Sequence, residues 1–269
     1  MNPVQINPQP KNGRHSRRTT SEVKQHTPVQ SIALHLLPGF LCVVVITLTG
    51  PVFKNLGLPH QMAAMLLGGL LTLTAFQLGV LLYLGKKRNG KLSLEGIVLY
   101  RHPMPWWQYL AFGLAMLLWV ALIWLILVPS IDRFFIENFF SWMPDTFFIG
   151  SLQESLGQYS ISMLLVMVTL QFLFVGVIGP TVEELYFRGY LLPRIAYLGA
   201  WAPAVNILLF SLYHFWSPWQ NIGRILATTP LYYTVWWKRN IYLGILMHVT
   251  VNVISTFMLL VLILELSPA

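Results

Sequence analysis

The chain has 269 residues, 56% of them hydrophobic and only 10% charged, with a formal net charge of +8 and a mean hydropathy of +0.63. A soluble globule carries about 25% charged residues, so this composition excludes an ordinary soluble domain. It points to an all-α polytopic membrane bundle with room for about seven or eight spans of some 20 residues each. The positive surplus is not a nucleic-acid footprint. Lys11, Arg14, Arg17, Arg18 and Lys24 lie in the N-terminal tail, and Lys86, Lys87, Arg88, Lys91 and Arg101 lie in one hydrophilic loop, the clustering expected of a positive-inside topology. The single cysteine, Cys42, allows no intrachain disulfide and no cysteine-based metal site.

Residues 1–31 are polar and are expected to form a disordered cytosolic tail. Residues 32–159 are read as N-terminal transmembrane helices and loops. The first apolar segment runs from about Ile32 to Gly50 and the second from about Met62 to Leu84. The basic loop Gly85–Pro105 follows, and Trp106-Trp107 mark an interface where a third segment begins and runs to near Val128. Residues 130–160 hold Asp132, Glu137, Asp145 and Glu154 against a single Arg133, which places them on the non-cytosolic side, where their Phe and Ile residues suit a helix lying in the interface.

Residues 160–269 form the core that carries the chemistry. An apolar segment, Ile161–Ile178, meets Gly179-Pro180, where the missing proline donor predicts a break. Thr181 then caps a fresh helix that carries Glu183, Glu184 and Arg188. A stretch from Trp201 to Trp216 contains His214, and a last segment, about Ile241–Leu264, contains His248 and Asn252. Between them Trp216, Trp219, Tyr232, Tyr233, Trp236 and Trp237 read as interfacial belt residues. Counting alternate spans puts Lys238 and Arg239 outside, against the positive-inside bias, and a short or re-entrant segment between 221 and 237 would repair the count.

Glu183 and Glu184 are the informative pair. A charged side chain at mid-bilayer costs on the order of 2.5–3.5 kcal/mol, so it is kept for a reason. Glu184 and Arg188 are four apart and share a helix face, so they pair. Glu183 is left without a cation in its own helix, which favours a role as general base. His214 is positioned to hold a water with Glu183, and Phe210, one turn earlier, to fix its imidazole. His248 and Asn252 are four apart and present two N–H donors, the makings of an oxyanion hole. For Phe210 the alternative is ordinary packing, and for His248 and Asn252 a polar helix–helix contact.

The ordered set Glu183-Glu184-x-x-x-Arg188, Phe210-x-x-x-His214 and His248-x-x-x-Asn252 resembles the CPBP family, which contains the CAAX proteases and bacteriocin-processing (Abi-like) enzymes, the intramembrane glutamic endopeptidases. The resemblance covers residues 160–264. It implies a helical bundle with a conical cavity open to membrane and cytosol. In such an enzyme Glu183 and His214 activate water, His248 and Asn252 bind the oxyanion, and Glu184 and Arg188 support them, with no cofactor. The partners it implies are the lipid bilayer and a protein or peptide substrate, which in eukaryotic members is prenylated. The absence of a signal or transit pattern points to a bacterial plasma membrane. Two other readings stand beside it. Glu183, Glu184, His214 and His248 are ligand types suited to zinc, although the chain lacks a His-Glu-x-x-His pattern. The same groups also suit a non-enzymatic binding or transport protein.

Overall fold

A computed structural model describes residues 23–144, 147 and 156–265. Among these the regular elements are all helices, and five helices are long and apolar enough to cross a membrane. In chain order the helical bodies are α1 (Pro28–Asn55), α2 (His60–Asn89), α3 (Trp106–Phe140) and α4 (Ile161–Leu198), then α5 (Trp201–Leu212), α6 (Asn221–Lys238) and α7 (Ile241–Glu265). The protein is an all-α integral membrane protein.

The end of the polar tail is packed against the bundle, against the expectation of disorder to residue 31. Thr27 caps α1 by accepting the Gln30 N–H at 3.2 Å, and Pro28 sits where a missing donor costs nothing. His26 is buried, and its N–H donates to the Arg194 carbonyl at 2.9 Å. Gln25 Nε2 donates to the Pro193 carbonyl at 3.2 Å. One backbone and one side-chain donor of this segment satisfy carbonyls at the end of α4, which local composition does not reveal. Residues 1–22 lie outside the described residues, as do 145–146 and 148–155, so Asp145 and Glu154 are not placed.

Two expected breaks are also absent. α3 does not end near Val128 but passes through Pro129 to Phe140, and α4 passes through Pro180. The same device precedes each proline: the helix widens into a π-helix over Ile123–Leu127 and over Phe172–Ile178. In a π-helical turn the hydrogen bonds have already shifted register, so the donor that proline lacks is no longer needed in its usual place. Thr181 accordingly does not cap a new helix. Its hydroxyl donates back to the Val177 carbonyl at 2.7 Å.

With α4 continuous through Pro180, the helix ends sort consistently. His102 N–H donates to the Arg239 carbonyl at 3.0 Å, Ile241 N–H to Tyr100 O at 2.7 Å, and Leu99 N–H to Gly189 O at 2.8 Å. Arg101 and Asn240 form an antiparallel bridge. The basic loop, the end of α4 and the α6–α7 turn therefore share one end of the bundle. Lys238 and Arg239 stand on the same side as Lys86, Lys87, Arg88 and Lys91, and the conflict in the sequence count disappears. Trp106, Trp107 and Trp237 are exposed there, as belt residues should be. Trp219 and Tyr232 are instead buried.

α5 has only 12 residues and rises about 18 Å, short of the roughly 30 Å hydrocarbon core. The turn 213–220 therefore lies inside the bundle. Non-helical backbone at such depth is tolerated only when buried in protein or lining a cavity. Here Trp219 packs with Cys42, Met143 and Phe147, and the turn carries His214. The main core cluster joins both halves of the chain, from Leu81, Val98 and Met116 to Tyr186, Phe210 and Leu243.

Candidate active site

The π-helical stretch of α4 sets the site's first contact. Gly179 N–H bonds the Phe174 carbonyl, five residues back. A β-carbon at Gly179 would lie 2.8 Å from that oxygen, so glycine is required. Pro180 has no N–H to give, which leaves the Val175 carbonyl without its in-helix donor. Asn252 on α7 supplies one, with Nδ2 at 3.3 Å. The proline thus links α4 to the carboxamide that the sequence pairs with His248.

One turn on, Glu184 and Arg188 are both fully buried and pair at 3.3 Å. The same carboxylate oxygen, Oε1, accepts from Tyr232 Oη at 3.0 Å and from His248 Nδ1 at 3.0 Å. That contact puts a proton on His248 Nδ1. The Arg188 guanidinium lies 3.3 Å from the Tyr232 ring centroid and 3.9 Å from that of Phe210, stacked between two aromatic faces. The other oxygen of Glu184 is pressed against α7, where a β-carbon on Gly244 would come within 2.6 Å of it. Gly244 is what lets α7 approach closely enough for His248 to reach Glu184.

Glu183 has different company. It faces the cavity, accepts a hydrogen bond on Oε1 from the buried Tyr213 hydroxyl, and has Oε2 3.7 Å from His248 Nε2. His248 therefore stands between the two glutamates. His214 Nδ1 donates to the Phe210 carbonyl at 2.8 Å, leaving Nε2 as the acceptor. The Phe210 ring meets His214 edge-on at 5.0 Å and His248 at 6.0 Å. Phe210 thus touches both imidazoles and the Arg188 cation.

Glu183, Phe210, His214, His248 and Asn252 all line one cavity of about 760 Å³, while Glu184 and Arg188 lie behind its wall. The seven residues singled out from the sequence come together at this one place. Among the described residues, no group of three His, Cys, Asp or Glu side chains has an arrangement that could hold a metal ion. Tyr213, Tyr232 and Gly244 were not singled out. Tyr232 reads as an interface residue because it flanks an apolar segment, Tyr213 is only a spacer between Phe210 and His214, and Gly244 carries no signal of its own.

Residues 165–254 match a family model described as type II CAAX prenyl endopeptidase Rce1-like. No curated protein and no solved structure matches the chain. The matched segment begins in the first half of α4 and ends in α7, and it contains every residue of the site named above.

Proposed function

For a chain whose residues 165–254 match the Rce1-like CAAX endopeptidase family model, we propose hydrolysis of peptide bonds in membrane-associated substrates by a water molecule that Glu183 activates. The observation that carries this reading is the asymmetry of the two glutamates. Glu184 is tied through Oε1 to Arg188, Tyr232 and His248. Glu183 meets only a neutral hydroxyl and a more distant imidazole, and it opens on the cavity. One carboxylate is spent on structure and the other is available to take a proton.

In this mechanism a water held between Glu183 and His214 Nε2 gives a proton to Glu183, and its oxygen attacks the scissile carbonyl carbon. The carbonyl electron pair moves to oxygen, where Asn252 and His248 donate to the oxyanion, His248 through a proton on Nε2 carried in addition to the one it gives Glu184. The intermediate collapses as the C–N bond breaks. Glu183 returns its proton to the leaving nitrogen, so the products are one acid and one amine and no covalent enzyme intermediate forms. Phe210 holds His214 in its rotamer. Glu184 and Arg188 hold His248.

The basic end of the bundle faces the cytosol in this reading, which places the N-terminus there as well. The membrane is a bacterial plasma membrane, and the substrate is a membrane-bound or lipidated peptide or protein, prenylated where the eukaryotic pattern holds. The test compares the membrane peptidomes of cells carrying wild type and Glu183→Gln at matched protein levels. Precursors that accumulate only with the variant establish the protease. Identical peptidomes from two folded proteins remove Glu183 from catalysis and favour a binding or transport role.

A further inference from the structure

A buried cation on the cavity wall has no part in the chemistry above. Arg224, in the first turn of α6, is only 8% exposed and lines the same cavity as Glu183 and His214. Its Nη1 donates to Asn221 Oδ1 at 3.1 Å. Its Nη2 donates to Ser217 Oγ at 2.9 Å and to Gln220 Oε1 at 3.2 Å. All three acceptors are neutral, and two of them belong to the 213–220 turn that also presents His214.

These contacts aim the guanidinium without cancelling its charge. Glu183 and Asp132 are the acids whose charges reach Arg224. Among the described residues, ion pairs within 4 Å occur only at Glu183 and Glu184, with His248 and Arg188 as partners. Asp132 stops at Gln220 and keeps one buried oxygen unpartnered. A guanidinium stays protonated in a protein, and a buried charge without a counter-ion is strongly unfavourable. Its fork geometry fits a carboxylate held through two parallel bonds.

We infer that Arg224 is the subsite for a carboxylate of the substrate peptide, which pairs directly with a guanidinium that no carboxylate of the described residues reaches within 4 Å. This rests on the peptidase reading above and deepens it. The chain end of a peptide and an acidic side chain offer the same carboxylate chemistry. Either one, bound at Arg224, fixes which peptide bond stands before Glu183 and His214.

The test uses full-length protein in proteoliposomes and N-palmitoylated peptide pools randomised over the C-terminal half, prepared as free acids and as C-terminal amides. Cleavage is read by mass spectrometry against the Glu183→Gln background. Wild type should favour the acid pool by about ten- to a hundredfold in kcat/KM, the range of a charge-assisted hydrogen-bonded pair, with the effect mainly in KM. Arg224→Gln should bring the acid-to-amide ratio close to one, and Arg224→Lys should restore part of it. An amide pool cut only in members rich in Asp or Glu, with that bias lost in Arg224→Gln, supports the subsite with a side-chain source. Equal cutting of both pools by wild type with no acidic bias overturns the subsite while leaving the protease standing, and does so without any variant. A parallel loss on all peptides in Arg224→Gln, with the ratio kept, also overturns it. If neither pool is cut above background, the protease reading fails and the subsite falls with it.

Discussion

Arg188 and Glu183 sit one turn apart, yet their removal should fail in opposite ways. Arg188 neutralises a fully buried carboxylate and stacks on Phe210 and Tyr232. Arg188→Ala strands Glu184, and breaking a buried pair by removing one partner costs roughly 3–5 kcal/mol. Glu183 holds the Tyr213 hydroxyl. Glu183→Ala would leave that buried hydroxyl without its acceptor, whereas Glu183→Gln offers an amide oxygen in the same place. Thermal unfolding in detergent should therefore drop sharply for Arg188→Ala and stay near wild type for Glu183→Gln, while Glu183→Gln alone is folded and inactive. Equal destabilisation of the two would refute the division of roles between the glutamates. The two glutamates, Arg188 and the two site histidines were legible in the sequence because ionisable groups in apolar segments are costly and therefore conspicuous. Tyr213, Tyr232 and Arg224 were not. An aromatic beside an apolar run reads equally well as membrane interface, and an isolated arginine gives no hint of what it faces.

At the scale of elements, Pro180 is the residue whose local meaning and structural meaning part company. Taken alone it breaks a helix. In the fold, the π-helical turn over 172–178 accommodates it, and the carbonyl it leaves free at Val175 is taken by Asn252 from α7. The acceptor lies 77 residues away in sequence, so no local rule reaches it. Pro180→Ala restores a backbone donor inside α4 that competes with Asn252 for Val175. The variant should keep its helix content and lower turnover, because the carboxamide loses its anchor. Asn252→Ala should lower turnover as well. Because the two changes act through one contact, the double variant should fall well short of the product of the single effects. Fully multiplicative losses would mean that Pro180 and Asn252 act independently. The same continuity of α4 puts Lys238 and Arg239 at the basic end, so one misread proline had distorted the topology of everything after it.

For the whole molecule, the basic end is where the N-terminal segment, the loop before α3, the end of α4 and the α6–α7 turn are tied together, and His26 is a titratable group within that knot. It is buried against Tyr190, edge-on at 5.6 Å, and its backbone is bonded to Arg194. Burial, then the positive charges of Arg194 and Lys24, push its pKa down from 6.5 to about 4. A histidine whose pKa is lower in the folded state binds fewer protons there than when unfolded. Stability therefore rises with pH across the interval between the two values and is flat above it. Acidification from about 6.5 towards 4 should undock residues 23–27 first, because protonation sets a third cation beside Arg194 and Lys24. The unfolding midpoint of wild type in detergent should fall through this interval relative to His26→Gln, which has no such proton to bind, and the two curves should run parallel above about pH 7. Parallel curves across the whole range would mean that His26 titrates alike in the folded and unfolded chain, or that the segment leaves the bundle without cost. In either case the basic end would be held by its backbone bonds alone.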